Sequence, residues 1–287
     1  ALHAGAADPL APRPNGMAPA RPGIYLISDA TIHTAPGNTL EDSDLLIRDG
    51  KIAQIGTDLS AAGAQLIDLE GMHIYAGFID PYIVVDAPAP SSSSAGLHWN
   101  AMVTPQRDAL AGAGLSDEQA EKLREQGFTS AHGVFRGYSA IVSTAESFDD
   151  PSMGSTPVYK AHAAQMHGFD TSNWSSGAYP TSHMGVMALL RQTFSDSEHR
   201  AASEHNDASC LDDVSGDNLN IYDTDHELEA LLAGKVASEF AHERVVIVGS
   251  GSEHRRLDAL KELGFPIITP LNFPKTPDVF SIGAADS

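Results

Sequence analysis

The stretch that most constrains this chain is residues 70–86, where a glycine turn leads into a long apolar run. Gly71 supplies the turn, and residues 74–85 are rich in β-branched and aromatic side chains. A run of this composition is typical of a strand that is covered by other elements of the fold. We therefore predict a strand here that is buried on both faces.

A small all-β unit precedes this stretch. Its four strand candidates occupy residues 24–34, 44–48, 51–55 and 65–69. Asp49-Gly50 separates two of them and is a strong signal for a tight hairpin turn that needs positive φ. Residues 1–23 are rich in alanine and proline. Because proline lacks a backbone donor, we predict an extended arm there.

Helix and strand signals alternate after residue 86. Ser116 and Gln119 form a capping-box pattern that predicts a helix, which Gly127 ends. Ser182 predicts a second N-cap. Further strands are predicted at residues 128–135, 140–144, 158–161, 244–248 and 266–269, and further helices at residues 227–233, 236–243 and 255–263. Gly264 is predicted to end the last of these helices. Exposed loops are predicted for the low-complexity residues 87–96 and the acidic residues 201–226.

Several of these segments resemble the amidohydrolase superfamily. The resemblance rests on the hairpin around Asp49, on the series Ile-Asp-Leu-Glu-Gly at residues 67–71, and on Gly77-Phe78-Ile79-Asp80. Other segments resemble the degenerate front module of long two-module amidohydrolase proteins, so that the resemblance covers most of residues 24–278. They lie around Trp99 and Gly137 and at residues 179–185 and 271–274.

The resemblance implies an α/β fold with a small N-terminal β-sandwich portion (residues 24–73) followed by a (β/α)₈ barrel of the TIM type (residues 74–287). Only five or six barrel strands are recognisable. An open barrel leaves unpaired edges, so we expect an incomplete barrel that another chain or a missing segment completes. Between Lys235 and Val236 two helical patterns lie back to back, which implies either an irregular fold or missing residues there.

The family's first two metal ligands are histidines that share one face of the first barrel strand. At the matching positions this chain has Tyr82 and Val84. Valine cannot bind a metal, and tyrosine is not an ordinary zinc ligand. We therefore expect no metal site and no catalytic residue in this chain, and zinc or another divalent metal in a partner module.

Four residues are candidates for lining a pocket: His98, Asn100, Arg136 and Lys160. The first three fall in loops after predicted barrel strands, where active sites of such barrels lie. Lys160 is the residue type that the family often uses as a carboxylated bridging ligand, but no ligand pattern accompanies it.

Two pairs of histidines show no metal-binding spacing. His162 and His167, like His199 and His205, are not spaced to share a helix face. His132 is expected to be hydrogen-bonded in the core or in a pocket.

Net charge excludes some partners. The chain carries a formal charge of −21, which argues against nucleic acid and anionic membranes. Cys210 is the one cysteine in the sequence, so neither an intrachain disulfide nor a cysteine-based zinc site is expected. No apolar run approaches the length of a membrane span. Leu2-His3-Ala4 fits the tail of a signal-peptide cleavage site, so a periplasmic or secreted location is expected, with the cytoplasm as the alternative.

The leading hypothesis is an amidohydrolase-like module that lacks its own metal centre and is a structural, pocket-forming partner of a competent module. The assembly, an oligomer with a second amidohydrolase-like chain or module, would hydrolyse amide, cyclic amide or peptide-like C–N bonds. Two alternatives stay open. One is an active hydrolase whose ligands a second chain completes, and the other is a non-catalytic binding or scaffolding protein.

Overall fold

The computed structural model describes residues 23–271, apart from residues 90, 92–93, 112–113, 146–157, 173–176, 206, 215–217, 241 and 243. The predicted arm lies outside the described residues except for Gly23, and so does most of the segment 271–274. The chain divides into two compact units, which meet in sequence at Ala76 and Gly77.

The first unit contains one sheet in its described part. Its strands are β1 (Ile24–Ala35), β2 (Asn38–Arg48), β3 (Lys51–Gly56), β4 (Gln65–Asp68) and β5 (His73–Tyr75). The order is β3-β2-β1-β4, and β5 pairs in parallel with the later part of β1. The predicted hairpin turn is confirmed, because Asp49 and Gly50 join β2 to β3 with φ of 49° and 74°. A β-sandwich stays a prediction, since the described strands form a single sheet.

The second unit is a mixed α/β structure. Its strands are β6 (Phe78–Val84), β7 (Phe128–Val134), β8 (Gly137–Tyr138), β9 (Ala140–Ser143), β10 (Val158–Lys160), β11 (Gln165–Gly168), β12 (Asn220–Asp223), β13 (Val245–Val248) and β14 (Ile267–Ile268). Its helices are α1 (Asp117–Glu125), α2 (His183–Ala201), α3 (Glu227–Glu239) and α4 (Leu257–Leu263), with short 3₁₀ turns at Cys210–Asp213 and Glu253–Arg256.

Two sheets organise this unit. One has the order β10-β9-β7-β6, with β6 and β7 parallel. The other has the order β14-β13-β12-β11-β8, in which β11 to β14 are parallel. Helices α2, α3 and α4 connect these parallel strands in turn, as βα alternation requires. The carboxyl ends of β11, β12 and β13 therefore lie at one edge of the sheet.

Local sequence signals place the helix ends as predicted. Ser116 and Gln119 form the capping box of α1, and the Ser182 side chain accepts a hydrogen bond from the Gly185 amide at the start of α2. Gly264 ends α4 with a φ of 72°, a conformation that glycine adopts at little cost.

The strand predicted within residues 74–85 is less buried than expected. The apolar run is split into β5 and β6, and β6 pairs only with β7 among the described strands. Phe78 and Ile79 are each 64% exposed, and Val84 is 57% exposed. The expectation of burial on both faces was wrong because an apolar composition does not reveal whether a strand has a neighbour on each side.

The acidic segment 201–226 is not a plain exposed loop. It contains a 3₁₀ turn and β12, in which Asn220, Ile221 and Tyr222 are buried. The prediction failed because a four-residue strand that contains Asn220 and ends in Asp223 lacks an apolar pattern. The buried Asn220 carboxamide is satisfied instead by hydrogen bonds to His167 and to the Asn218 carbonyl.

The expected break at Lys235 is also absent. Helix α3 runs without interruption through Gly234, Lys235 and Val236. The strand that βα alternation demands is β12, which precedes this helix. A Cβ at Gly234 would lie 2.5 Å from the Leu263 side chain, so the glycine allows α4 to pack closely against α3.

Side chains on both faces of the parallel strands β12 and β13 are buried. Tyr222 and Ile247 face the helices and pack with Ala233 and Val236 of α3. Ile221 belongs to the cluster on the opposite face, which also contains Val134, Ala164, Met166 and Val248. Each large side chain buried in this way stabilises the fold by roughly 1.5–3 kcal/mol. Among the described helices, none is long and apolar enough to cross a bilayer.

His167 of β11 is held in this core. Its ring contacts Phe194 and Tyr222, and its Nε2 lies 2.9 Å from the Asn220 side-chain oxygen, so Nε2 carries the proton. Burial disfavours the charged imidazolium and lowers the pKa of His167 to about 4.

We expect acid to destabilise the fold through His167. Its folded pKa lies below the unfolded value, so the unfolded state binds more protons between pH 6.5 and 4, and stability is lost as pH falls through that window. The loss is about 3 kcal/mol at most. His167→Gln keeps a donor for Asn220 but does not titrate. Urea unfolding from pH 8 to pH 4 should therefore show a shallower pH dependence for the variant. Parallel curves for the two proteins would contradict the assignment.

Candidate functional site

Three polar side chains from different strands meet where the strands end. Tyr82 lies near the end of β6, Arg136 follows β7, and Asp223 is the last residue of β12. Together with Val84 and His167 they line one cavity. The carboxyl ends of parallel strands are the usual place for a site in open α/β sheets. This cluster, called here the strand-end cluster (Tyr82, Arg136 and Asp223), is the candidate functional site.

The charged and polar groups of the strand-end cluster interact with one another. Partial desolvation, with the nearby Asp223 carboxylate and a hydrogen bond to it, raises the pKa of Tyr82 far above its usual range. Desolvation also raises the pKa of Asp223, although this residue keeps part of its surface open to solvent. Desolvation lowers the pKa of Arg136, while Asp223 and Asp225 counteract it. Arg136 also forms an ion pair with Asp170.

These side chains do not fit the metal centre that the resemblance implies. Tyrosine is not an ordinary zinc ligand, and Val84 offers no donor atom. The guanidinium of Arg136 adds a fixed positive charge beside them, which repels a cation. The cluster can instead connect the strand ends and present charged side chains to a neighbouring group.

A second, mainly apolar cavity, which Arg136 also lines, lies between β11 and α2. Its lining includes Val186 and Phe194 of α2 and the carboxamide residue Gln165. Gln165 is 1% exposed, its Nε2 donates to the Pro105 carbonyl, and its Oε1 has no partner among the described residues. An apolar pocket with a few polar groups is the usual form of a small-molecule site.

The other predicted pocket residues lie apart from this cluster. His98 and Asn100 stabilise their own loop, where the Asn100 amide donates to His98 Nδ1 and the Asn100 side chain donates to the Tyr179 carbonyl. Lys160 is exposed on β10. Of the four candidates, the structure brings only Arg136 into the strand-end cluster.

His132 is satisfied within the core, as expected. Its Nδ1 lies 3.2 Å from the Pro81 carbonyl and its Nε2 lies 2.6 Å from the Ser139 hydroxyl. Burial lowers the pKa of His132, which keeps it neutral. His167 lies on β11, and His162 precedes that strand.

Sequence reasoning missed two groups of residues. The sequence predicts an exposed loop for Asp223, and no neighbouring residue indicates that Asp223 lies close to β6. A second group, His183, His226 and Glu229, comes together at the starts of α2 and α3. Part of that signal was present in the sequence, because His226 and Glu229 are spaced i, i+3 and so share a helix face.

Comparison with known proteins finds relatives over a short part of the chain. The chain is 46% identical over 63 residues to a D-hydantoinase from Geobacillus stearothermophilus, a match that covers 22% of this chain and 13% of that protein. It is 33% identical over 63 residues to a dihydroorotase from Pelotomaculum thermopropionicum, which covers 22% of this chain and 15% of that protein. The matches thus cover far less than two thirds of the relatives' length. No family model matches the chain.

Solved structures give a weaker likeness. A crystal structure of a D-hydantoinase aligns with 86% of this chain and 56% of its own, at 16% identity and a TM-score of 0.37. That score is too low to support an argument about fold or function. D-hydantoinase and dihydroorotase both belong to the amidohydrolase superfamily. Over these 63-residue matches the chain is similar to members of the amidohydrolase superfamily.

Proposed function

We propose that this chain is an amidohydrolase-like module of a metal-dependent hydrolase that cleaves cyclic amide or related C–N bonds. In this proposal the chain itself is a structural, pocket-forming partner and a second amidohydrolase-like chain or module carries the catalytic metal. The segment shared with a D-hydantoinase and a dihydroorotase supports the reaction class.

The strand-end cluster supports the proposal that the catalytic metal belongs to the partner module and not to this chain. At the positions where the family has its first two metal ligands, Tyr82 is tied to Asp223 and Val84 is apolar. Arg136 lies beside them and pairs with Asp170. Since this charge pattern stabilises a guanidinium, it disfavours a divalent cation at the same place. The chain would therefore line the pocket at this place without binding the metal.

The free side of β6 supports a partner module. Among the described strands β6 pairs only with β7, and its exposed residues include Phe78, Ile79 and Val84. An exposed strand edge with apolar side chains is usually covered in a functional protein. We propose that the partner covers it in an oligomeric assembly. Completion of a (β/α)₈ barrel, together with a β-sandwich built on the first unit, belongs to this proposal.

Two other functions remain open. The chain could be an active hydrolase whose ligands a second chain completes, in which case the apolar cavity beside Arg136 would bind substrate. It could also be a binding or scaffolding protein without a catalytic partner. A companion chain with His-x-His after Gly-Phe-Ile-Asp or Gly-Leu-Ile-Asp supports the first two functions, and mass spectrometry of co-purified proteins would detect it.

Catalysis tests the proposal directly. We expect the isolated chain, supplied with zinc, to show no turnover of a hydantoin or of dihydroorotate, because its strand-end cluster offers no metal-bound water. The measurement is product formation by chromatography, with a D-hydantoinase as the positive control. Zinc-dependent turnover by the isolated chain would contradict the proposal, whereas zinc binding without turnover would not.

Replacing Tyr82 tests the structural role of the cluster. Tyr82→Phe removes the hydroxyl that hydrogen-bonds Asp223, and we expect the free energy of unfolding to fall by about 1 kcal/mol. The matched control is Tyr159→Phe, which alters an exposed tyrosine on β10 and should change stability little. Equal stability of Tyr82→Phe and the wild type in urea titrations would show that the hydroxyl does not tie the strand ends together.

A further inference from the structure

Two imidazoles and a buried carboxylate converge at the starts of helices α2 and α3. His183 is the first residue of α2, directly after its N-cap Ser182. His226 is the N-cap of α3, and Glu229 is the third residue of that helix. The i, i+3 spacing places His226 and Glu229 on one side of the first turn, which faces the start of α2.

The distances among these groups suit one small cation. Glu229 Oε1 lies 3.0 Å from His183 Nδ1 and 3.5 Å from His226 Nε2. The three ligand atoms all lie within 4.8 Å of one another. A tetrahedral zinc ion with bonds of about 2.0–2.1 Å holds its ligand atoms about 3.3 Å apart. The observed separations therefore need only small side-chain adjustments to surround a zinc ion.

The carboxylate is buried and lacks a strong cationic partner. The Glu229 side chain is 3% exposed, and no lysine or arginine forms a salt bridge with it among the described residues. Its Oε2 accepts a hydrogen bond of 2.7 Å from the Asp225 amide. That bond orients the carboxylate so that Oε1 faces both imidazoles. Such outer contacts are typical of carboxylates that bind metals.

The tautomer of His226 is compatible with a metal at Nε2. Its Nδ1 accepts a long hydrogen bond of 3.3 Å from the Glu229 amide, and the same amide lies 3.0 Å from the His226 carbonyl. When Nε2 binds a metal, Nδ1 carries the proton and this long bond is lost. The Glu229 amide then keeps its bond to the carbonyl, so the first turn of α3 stays satisfied.

We propose that His183, His226 and Glu229 form a zinc site with a fourth position open to water. The His183 side chain is half exposed and borders a surface groove that also contains Met187 and Arg191, so solvent and small ligands reach this position. Two imidazoles and one carboxylate are a common ligand set for zinc sites that keep an open position. The site lies on helices, whereas Tyr82 and Val84 lie on strand β6.

This proposal is independent of the proposed function and revises the expectation that the chain holds no metal. The competing explanation is an ion pair in which a protonated imidazole balances Glu229 without any metal. Zinc binding distinguishes the two, because an ion pair needs no ion from solution.

Isothermal titration of the metal-stripped full chain with zinc tests the site. We expect saturable binding, and His183→Ala should weaken the binding that this site provides by about tenfold or more, since one of three ligands is lost. Alanine suits the exposed first position of α2, and Ser182 keeps the N-cap, so the variant should fold. The matched control is His199→Ala, which removes an exposed histidine from the last turn of the same helix and should bind zinc like the wild type.

A second variant keeps the test decisive if His183→Ala folds poorly. Glu229→Gln preserves the buried volume and the acceptor for the Asp225 amide but removes the charge, and it should lose zinc binding at this site while circular dichroism shows wild-type helix content. Cobalt substitution should give the absorption bands of tetrahedral coordination in the wild type and not in either ligand variant. The proposal is overturned if the wild type shows no saturable zinc binding, or if His183→Ala and His199→Ala bind zinc equally well.

Discussion

The packing of helix α3 against the parallel strands β12 and β13 is the interaction on which the second unit depends. Tyr222 and Ile247 pack against Ala233 and Val236, and these side chains have almost no contact with solvent. The small residues of α3 allow the helix to lie close to the sheet, and Gly234 allows α4 to lie close to α3. Because this core fixes both strands and the start of α3, it also positions Asp223 at a strand end and Glu229 in the first helical turn.

The two polar clusters of this unit differ in what they can hold. The strand-end cluster contains a guanidinium with carboxylates around it, so its charges are already compensated and a cation gains little there. The cluster of His183, His226 and Glu229 contains a buried carboxylate with two imidazoles and no salt bridge to lysine or arginine among the described residues. A divalent cation would compensate that carboxylate. The proposed zinc site and the proposed lack of a metal at the strand-end cluster thus both follow from the charges that the fold brings together.

Much of the local structure was predictable from short-range signals. The Asp49-Gly50 hairpin, the Ser116 and Ser182 caps and the glycine stop at Gly264 depend on neighbouring residues alone, and all of them are confirmed. Strand β12 was missed because Asn220 is buried through hydrogen bonds and not through an apolar pattern. The exposure of β6 was missed because strand pairing is a long-range property.

The candidate site was predictable only in part, for the same reason. The unusual residues Tyr82 and Val84 were visible against the family pattern, and Arg136 was named from its position after a strand. Their meeting with Asp223 depends on the sheet order, which the sequence does not reveal. The association of His183 with Glu229 likewise depends on two helices that are distant in sequence and packed on the same strands.

Anomalous X-ray scattering at the zinc edge, from crystals grown with zinc, locates bound metal ions without reference to activity. We expect an anomalous peak among His183, His226 and Glu229 and no peak beside Tyr82 and Val84. A peak at the end of β6, next to Tyr82 and Val84, would contradict this expectation.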